Sequence, residues 1–184
     1  MTTMLIHLIN LVISILGSLL LFRAYLWYQA ISPRDPMCGF VWKVTDWIVN
    51  PVGCAVRPRG GWDWPSIASA VLLAVVHVLV VKQITGLPAT PLAFLLAPLA
   101  LAARWAIDII LWAVIVYCII SFTSAPRSPY RALVGTLVDP FLRPFRRFLP
   151  LVAGRFDLSP VLLFLLLNVL MTVLAPISAG AIAL

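Results

Sequence analysis

The segment from Asp139 to Pro150, with the sequence DPFLRPFRRFLP, holds the densest group of arginines in the chain. Its phenylalanines recur at helical spacing, and its arginines cluster on the opposing face of the same predicted helix. A planar guanidinium can donate two hydrogen bonds at once to a phosphate or a carboxylate. An amphipathic piece of this kind lies in the membrane interface, with its rings in the acyl boundary. The candidate lipid- or partner-binding residues are Arg143, Arg146, Arg147, Phe141, Phe145 and Phe148.

Two alternatives stay open for this segment. Pro144 would strain one continuous helix, so two short turns and a single rod both fit the sequence. The arginines could also serve only to fix membrane topology, because basic loops are retained on the cytoplasmic side.

A shift of 93 positions superimposes the two halves of the chain. With a one-residue slip, the match extends to a further aspartate before the last apolar run. Each half then reads as helix, loop, helix, which predicts two parallel repeats related by an axis along the membrane normal. The matched pairs are Pro36 with Pro129, Asp46 with Asp139, Pro51 with Pro144 and Asp63 with Asp157.

Residues for catalysis or metal binding are scarce. The chain has six Asp and no Glu, two His, and three Cys without CxxC spacing, so we expect no enzyme activity, zinc site, disulfide framework or bound cofactor. Polar residues within apolar runs merit a functional hypothesis, so a solute or ion transport component, or a haem-handling assembly factor, is the alternative function. His77 is the candidate haem or proton ligand. The competing interpretation is structural, with Asn10 and Asn168 joining helices by hydrogen bonds.

The elements that position these residues are apolar helices. The 184 residues are 63% hydrophobic and 10% charged, with a mean hydropathy of +1.09, far above a soluble domain. Apolar runs predict an all-α, polytopic transmembrane protein with spans near 4–31, 66–81, 104–122 and 160–175. The proline-broken stretch 86–103 is either an interfacial or partly inserted segment, or an outward extension of the third helix with a kink at Pro98. Predicted domains are a first repeat (1–85), a connection (86–103) and a second repeat (104–184).

Charge distribution predicts the topology. The loops 32–65 and 123–159 hold ten of the thirteen Lys and Arg, so they should be cytoplasmic, with both termini outside. Arg23, near the end of the first span, should snorkel to the interface. The net charge of +7 is explained by this topology and by anionic lipid head groups, so we expect no nucleic acid partner.

The arginine segment and the following FDLSP resemble the YggT family, called YlmG in some bacteria, and the resemblance covers essentially the whole chain. The family's halves carry a DPxxRPxRRxxP stretch followed by Gly, Asp and Ser-Pro, and VWKVT at 41–45 looks like its first copy. The matching motif residues are Asp139, Pro140, Pro144, Pro150, Asp157, Ser159 and Pro160.

The resemblance implies a small accessory protein of the bacterial inner membrane, because relatives are linked with division and nucleoid placement, osmotic tolerance and, in chloroplasts, assembly of the cytochrome complex. Its partners would be anionic lipids and a membrane protein or a second copy. The first copy departs from the pattern at Trp47, Gly53 and Cys54, and Tyr117 stands near a position where the family often has Arg.

Overall fold

The computed structural model describes residues 2–32, 35, 38–57, 60–85, 91–123, 129–148 and 158–178. These residues form six α-helices and no strand, which confirms the all-α prediction. The helices are α1 (Thr2–Tyr28), α2 (Gly39–Gly53), α3 (Trp64–Thr85), α4 (Pro91–Thr123), α5 (Pro129–Phe148) and α6 (Ser159–Ser178). Within this part of the chain, α1, α3, α4 and α6 are long and apolar enough to cross a membrane, as predicted.

Helix α1 ends three residues before the predicted boundary. The amide of Ile31 donates to the carbonyl of Leu26 at 3.0 Å, and Ala30 between them has a φ of 55°. This hydrogen bond and the left-handed residue form a Schellman-type stop that satisfies carbonyls of the last turn.

The two predicted cytoplasmic loops each contain a helix, α2 in the first and α5 in the second. Helix α5 runs without a break through Pro140 and Pro144, so the single-rod alternative holds. Both prolines are exposed, which puts the positions without an N–H on the outward face of the helix. Carbonyls there can be hydrated, and the loss of two helical hydrogen bonds is therefore tolerated.

Residues 91–103 are helical and continuous with the third predicted span, so for this part of the stretch the extended third helix is correct. Helix α4 begins at Pro91 and includes Pro98, and residues 86–90 lie outside the described part. Helix α3 also extends beyond the predicted 66–81, to Trp64–Thr85.

The chain packs as two compact units. The first comprises Met1–Ala106 with Leu174–Leu184. In its core Leu20, Val49 and Ala70 join α1, α2 and α3. The Trp105 ring packs with Ala74 in a second cluster and lies directly against Gly17, where a Cβ would overlap the ring.

The second unit comprises Ile107–Val173. Its core is formed by apolar residues of α4, α5 and α6, and the rings of Phe141 and Phe145 pack against it. The buried members are Val114, Val134, Val138, Leu142, Leu163 and Leu167.

Candidate functional site

Arg146 is tied into the second unit. Its Nη1 donates to Asp139 Oδ1 at 2.6 Å, and its Nη2 donates to the hydroxyl of Tyr117 on α4 at 3.2 Å. These bonds join α5 to the neighbouring span, since Asp139 lies on α5 and Tyr117 on α4. Arg146 therefore positions α5, and two of its donors already serve the protein's own oxygens.

The other two arginines of the segment face outward. Arg143 Nε lies 3.7 Å from Asp139 Oδ2, and the Arg143 side chain is 72% exposed. Arg147, four residues further along the helix, is also exposed. Positions four apart are neighbours on one helix face. We name Arg143 and Arg147 the outer arginine pair, and their exposed guanidinium groups can contact a phosphate or carboxylate.

The phenylalanines do not share that outward position. Phe141 and Phe145 are half-buried and pack against the core of the second unit, so these two rings hold α5 to the protein. Helical spacing alone had assigned them to the acyl boundary. Phe148 is the last residue of α5, and its side chain is not among the described parts of the chain.

Some of the remaining motif residues belong to the described part of the chain and others lie outside it. Ser159 and Pro160 begin α6 and are buried. Pro150 and Asp157 lie outside the described residues, so their predicted roles stay predictions.

A second polar cluster, which we name the first-half cluster, consists of Arg23, Thr45, Asp46, Asp63 and Ser66. Arg23 Nη1 lies 2.6 Å from Asp46 Oδ1 and donates to Thr45 Oγ1 at 3.0 Å. Its Nε lies 3.4 Å from Asp63 Oδ2, which is within ion-pair range, although Nε makes no hydrogen bond to the described residues. The side chains of Arg23 and Asp63 are only 10% and 5% exposed.

This burial changes the interpretation of Arg23. The sequence predicted that it would snorkel toward head groups, but its guanidinium instead turns inward and connects α1 to α2 and to the start of α3. Asp63 immediately precedes α3, and its carboxylate also accepts a hydrogen bond from the Ser66 hydroxyl at 2.5 Å. A charge this deep requires paired carboxylates, because an unpaired buried charge is strongly unfavourable.

The first-half cluster and the group of Arg146, Asp139 and Tyr117 contain matched aspartates, but their arginines come from different helices. Asp46 and Asp139 are matched by the 93-residue shift, and each contacts an arginine at 2.6 Å. In the first half the arginine comes from the span α1, whereas in the second it comes from α5. Gly53 stands at the position that matches Arg146, so α2 lacks this arginine and α1 supplies Arg23 instead. In the second half the arginine is on α5, and the neighbouring span carries Tyr117. The 93-residue shift places Tyr117 on position 24, next to Arg23. This correspondence is the signal in the sequence that could have identified Arg23 as the partner of Asp46.

His77 has a structural partner within the first unit. Its Nε2 lies 2.7 Å from Asn10 Oδ1, a contact that joins α3 to α1. This contact engages Nε2, while Nδ1 is buried and makes no hydrogen bond to the described residues. Asn168, by contrast, donates to the carbonyl of Phe164 in its own helix.

Comparison with known proteins identifies the family. The CCB3/YggT family model matches residues 2–84 and 96–178. The chain belongs to the CCB3/YggT family. The uncharacterised YggT of Escherichia coli K12 is 34% identical over 164 residues, covering 89% of this chain and 85% of the relative.

More distant relatives agree with this assignment. An uncharacterised protein of Vibrio alginolyticus is 27% identical over 144 residues, covering 76% of this chain and 77% of its own length. One from Pseudomonas aeruginosa is 27% identical over 140 residues, covering 74% and 70%. No solved structure matches the chain.

Proposed function

We propose that this member of the CCB3/YggT family is a non-enzymatic, multi-pass protein of the bacterial inner membrane that acts as a scaffold or accessory factor for membrane complexes or cell-envelope processes. It acts through the outer arginine pair on α5. The observation that carries the proposal is the difference between neighbouring arginines, since Arg146 is bonded internally while Arg143 and Arg147 remain exposed.

The chemistry of the pair favours anionic oxygen ligands. Two guanidinium groups one turn apart can engage a phosphate or a carboxylate through parallel hydrogen bonds. The ligand is therefore the head group of an anionic lipid or an acidic surface of a membrane-protein partner. Packing of Phe141 and Phe145 against the second unit supports this use, because it fixes the helix that carries the pair.

The contacts of the aspartates that pair with Arg23 and Arg146 support a non-enzymatic role. Asp46, Asp63 and Asp139 each lie within 4.0 Å of an arginine. A general base must lie within hydrogen-bond reach of the proton that it removes from a substrate, whereas these three carboxylates contact the protein's own guanidinium groups.

The proposed topology places α2 and α5 on the cytoplasmic side, and two cysteines provide its test. Cys54 is exposed, whereas Cys38 is buried, and burial together with the nearby Asp35 raises the pKa of the Cys38 thiol. A membrane-impermeant maleimide should label Cys54 in inside-out vesicles and leave it unlabelled in intact spheroplasts. Labelling of Cys54 in intact spheroplasts would contradict the topology.

We further infer that the halves are parallel internal repeats. Support comes from the two separate stretches matched by one family model, 2–84 and 96–178. The equivalent use of Asp46 and Asp139 as arginine partners adds to it.

The functional test compares lysine variants in a strain that lacks the protein. Arg143→Lys/Arg147→Lys keeps both charges and so keeps topology, but it removes the planar fork of donors. We expect this variant to lose complementation at normal expression. The matched control Arg131→Lys lies on the same helix, outside the segment, and should complement fully.

Full complementation by the double lysine variant would overturn the proposal and leave the arginines as a topology signal. Arg146→Lys provides a separate comparison. Loss of the hydrogen bonds from Arg146 to Asp139 and Tyr117 should lower the amount of folded protein, whereas the double lysine variant should lose function while its amount stays normal.

A further inference from the structure

Helix α2 exposes large aromatic side chains on the face opposite its core contacts. Phe40 is 63% exposed and Trp47 67% exposed, and Lys43 lies between them on the same face. Their spacing of three and four residues places all three along one stripe. The inward face is formed by Val41, Trp42, Thr45 and Val49.

The position of α2 along the spans gives the depth of this stripe. Asp46 pairs with Arg23, which lies five residues before the end of α1, or about 8 Å at 1.5 Å per residue. Val49 packs with Ala70, six residues after the start of α3, or about 9 Å. An amphipathic helix in the membrane interface buries its apolar face by about 5–10 Å. With the ends of α1 and α3 taken as the level of the head groups, helix α2 lies beside the spans at interfacial depth.

Neighbouring aromatic residues mark the same level. Tyr28 at the end of α1 stacks on Trp62 just before α3, with ring centroids 4.5 Å apart. Trp27 and Trp64, at the same two helix ends, are also exposed. Trp and Tyr concentrate at the level of lipid head groups, where a ring can be buried while its polar atom stays hydrated.

The outward face of α5 differs in chemistry. It exposes Pro140, Arg143 and Arg147 and no Phe or Trp among its described side chains. Equivalent helices of the two halves thus present different surfaces, one aromatic with a single lysine and one with two arginines.

We propose that the outward face of α2 docks onto the bilayer in which the spans sit, with Phe40 and Trp47 inserted below the head groups and Lys43 at an anionic lipid phosphate. Lipid is the occupant because the stripe lies at interfacial depth, continues the aromatic residues at the ends of α1 and α3, and has its one charge positive, complementary to anionic head groups. This surface belongs to the first half and is separate from the outer arginine pair.

Fluorine NMR of the full chain, labelled with fluorotryptophan in nanodiscs of equimolar phosphatidylcholine and phosphatidylglycerol, tests the proposal. Three paramagnetic agents are compared: a lipid spin label near the head group, one near the end of the acyl chain, and a soluble gadolinium chelate. Trp112 is the matched control, because it is 66% exposed, as Trp47 is, but lies about 13 Å from the end of its span. Trp→Phe variants assign each resonance.

We expect the Trp47 resonance to broaden several-fold more with the head-group label than with the chelate, and the Trp112 resonance to broaden most with the acyl-end label. Lys43→Glu should reduce the broadening of Trp47. If Trp47 responds mainly to the chelate, its face lies in water and the proposal fails. If it responds to none of the agents, a protein surface covers it and the proposal also fails. A Phe40→Trp/Trp47→Phe variant repeats the measurement from the other exposed position.

Discussion

Replacement of Arg23 by Met is the sharpest test of the first-half cluster. Met keeps an apolar stem of similar length but removes the charge. The Asp63 carboxylate, only 5% exposed, is then left with the hydrogen bond from the Ser66 hydroxyl and no neighbouring cation among the described residues. Removal of one partner from a buried ion pair costs about 3–5 kcal/mol. We expect Arg23→Met to lower the free energy of unfolding by an amount in this range.

Unfolding by SDS in mixed micelles, followed by circular dichroism, measures this change. Asp46→Asn is the control, because Asp46 is 46% exposed and pairs with the same guanidinium, so its loss should cost only about 1 kcal/mol. Adding Asp63→Asn to Arg23→Met removes the stranded charge and should restore part of the lost stability. A cost below about 1 kcal/mol for Arg23→Met would refute the reasoning, since the pair would then behave like a surface ion pair.

Three further tests address local features. Arg23→Tyr/Gly53→Arg moves the arginine from α1 to α2, at the position that matches Arg146. Because a Cβ at Gly53 meets nothing within 4 Å, we expect this double variant to unfold at higher SDS than Arg23→Tyr alone. Ala30→Gly should raise the free energy of unfolding by about 1 kcal/mol, because Ala30 has a φ of 55°. Gly17→Ala should lower it by about 1–3 kcal/mol by forcing the Trp105 ring aside, and Gly53→Ala, at an open site, is its control.

The sequence was sufficient for the apolar helices and for the last part of α5, but not for α2 or the start of α5. Long apolar runs identify a span because lipid requires about twenty apolar residues in succession. Helix α2 and the first half of α5 lie in the predicted loops and lack such a run, and only residues 139–148 of α5 show helical spacing in the sequence. Their helical structure depends on packing of Val49 and Leu142 against spans that are distant in sequence.

The candidate site was found only in outline from the sequence. The motif identified the right segment of α5, yet spacing could not separate Arg146 from the outer arginine pair, because the separating contact is with Tyr117 on another helix. The first-half cluster was missed for the same reason. Arg23 and Asp63 are forty positions apart, and no local pattern predicts that they meet.

The length of α4 has a consequence for the choice of membrane. Its apolar span, Phe94–Ser121, has 28 residues, or about 42 Å at 1.5 Å per residue, against a hydrocarbon thickness of about 30 Å. The span of α6 has 20 residues, close to that thickness. Hydrophobic mismatch of this size is relieved by tilting or by local thickening of the bilayer. The protein therefore contains one helix that fits thick membranes and one that fits ordinary ones, which makes acyl-chain length a determinant of where it is most stable.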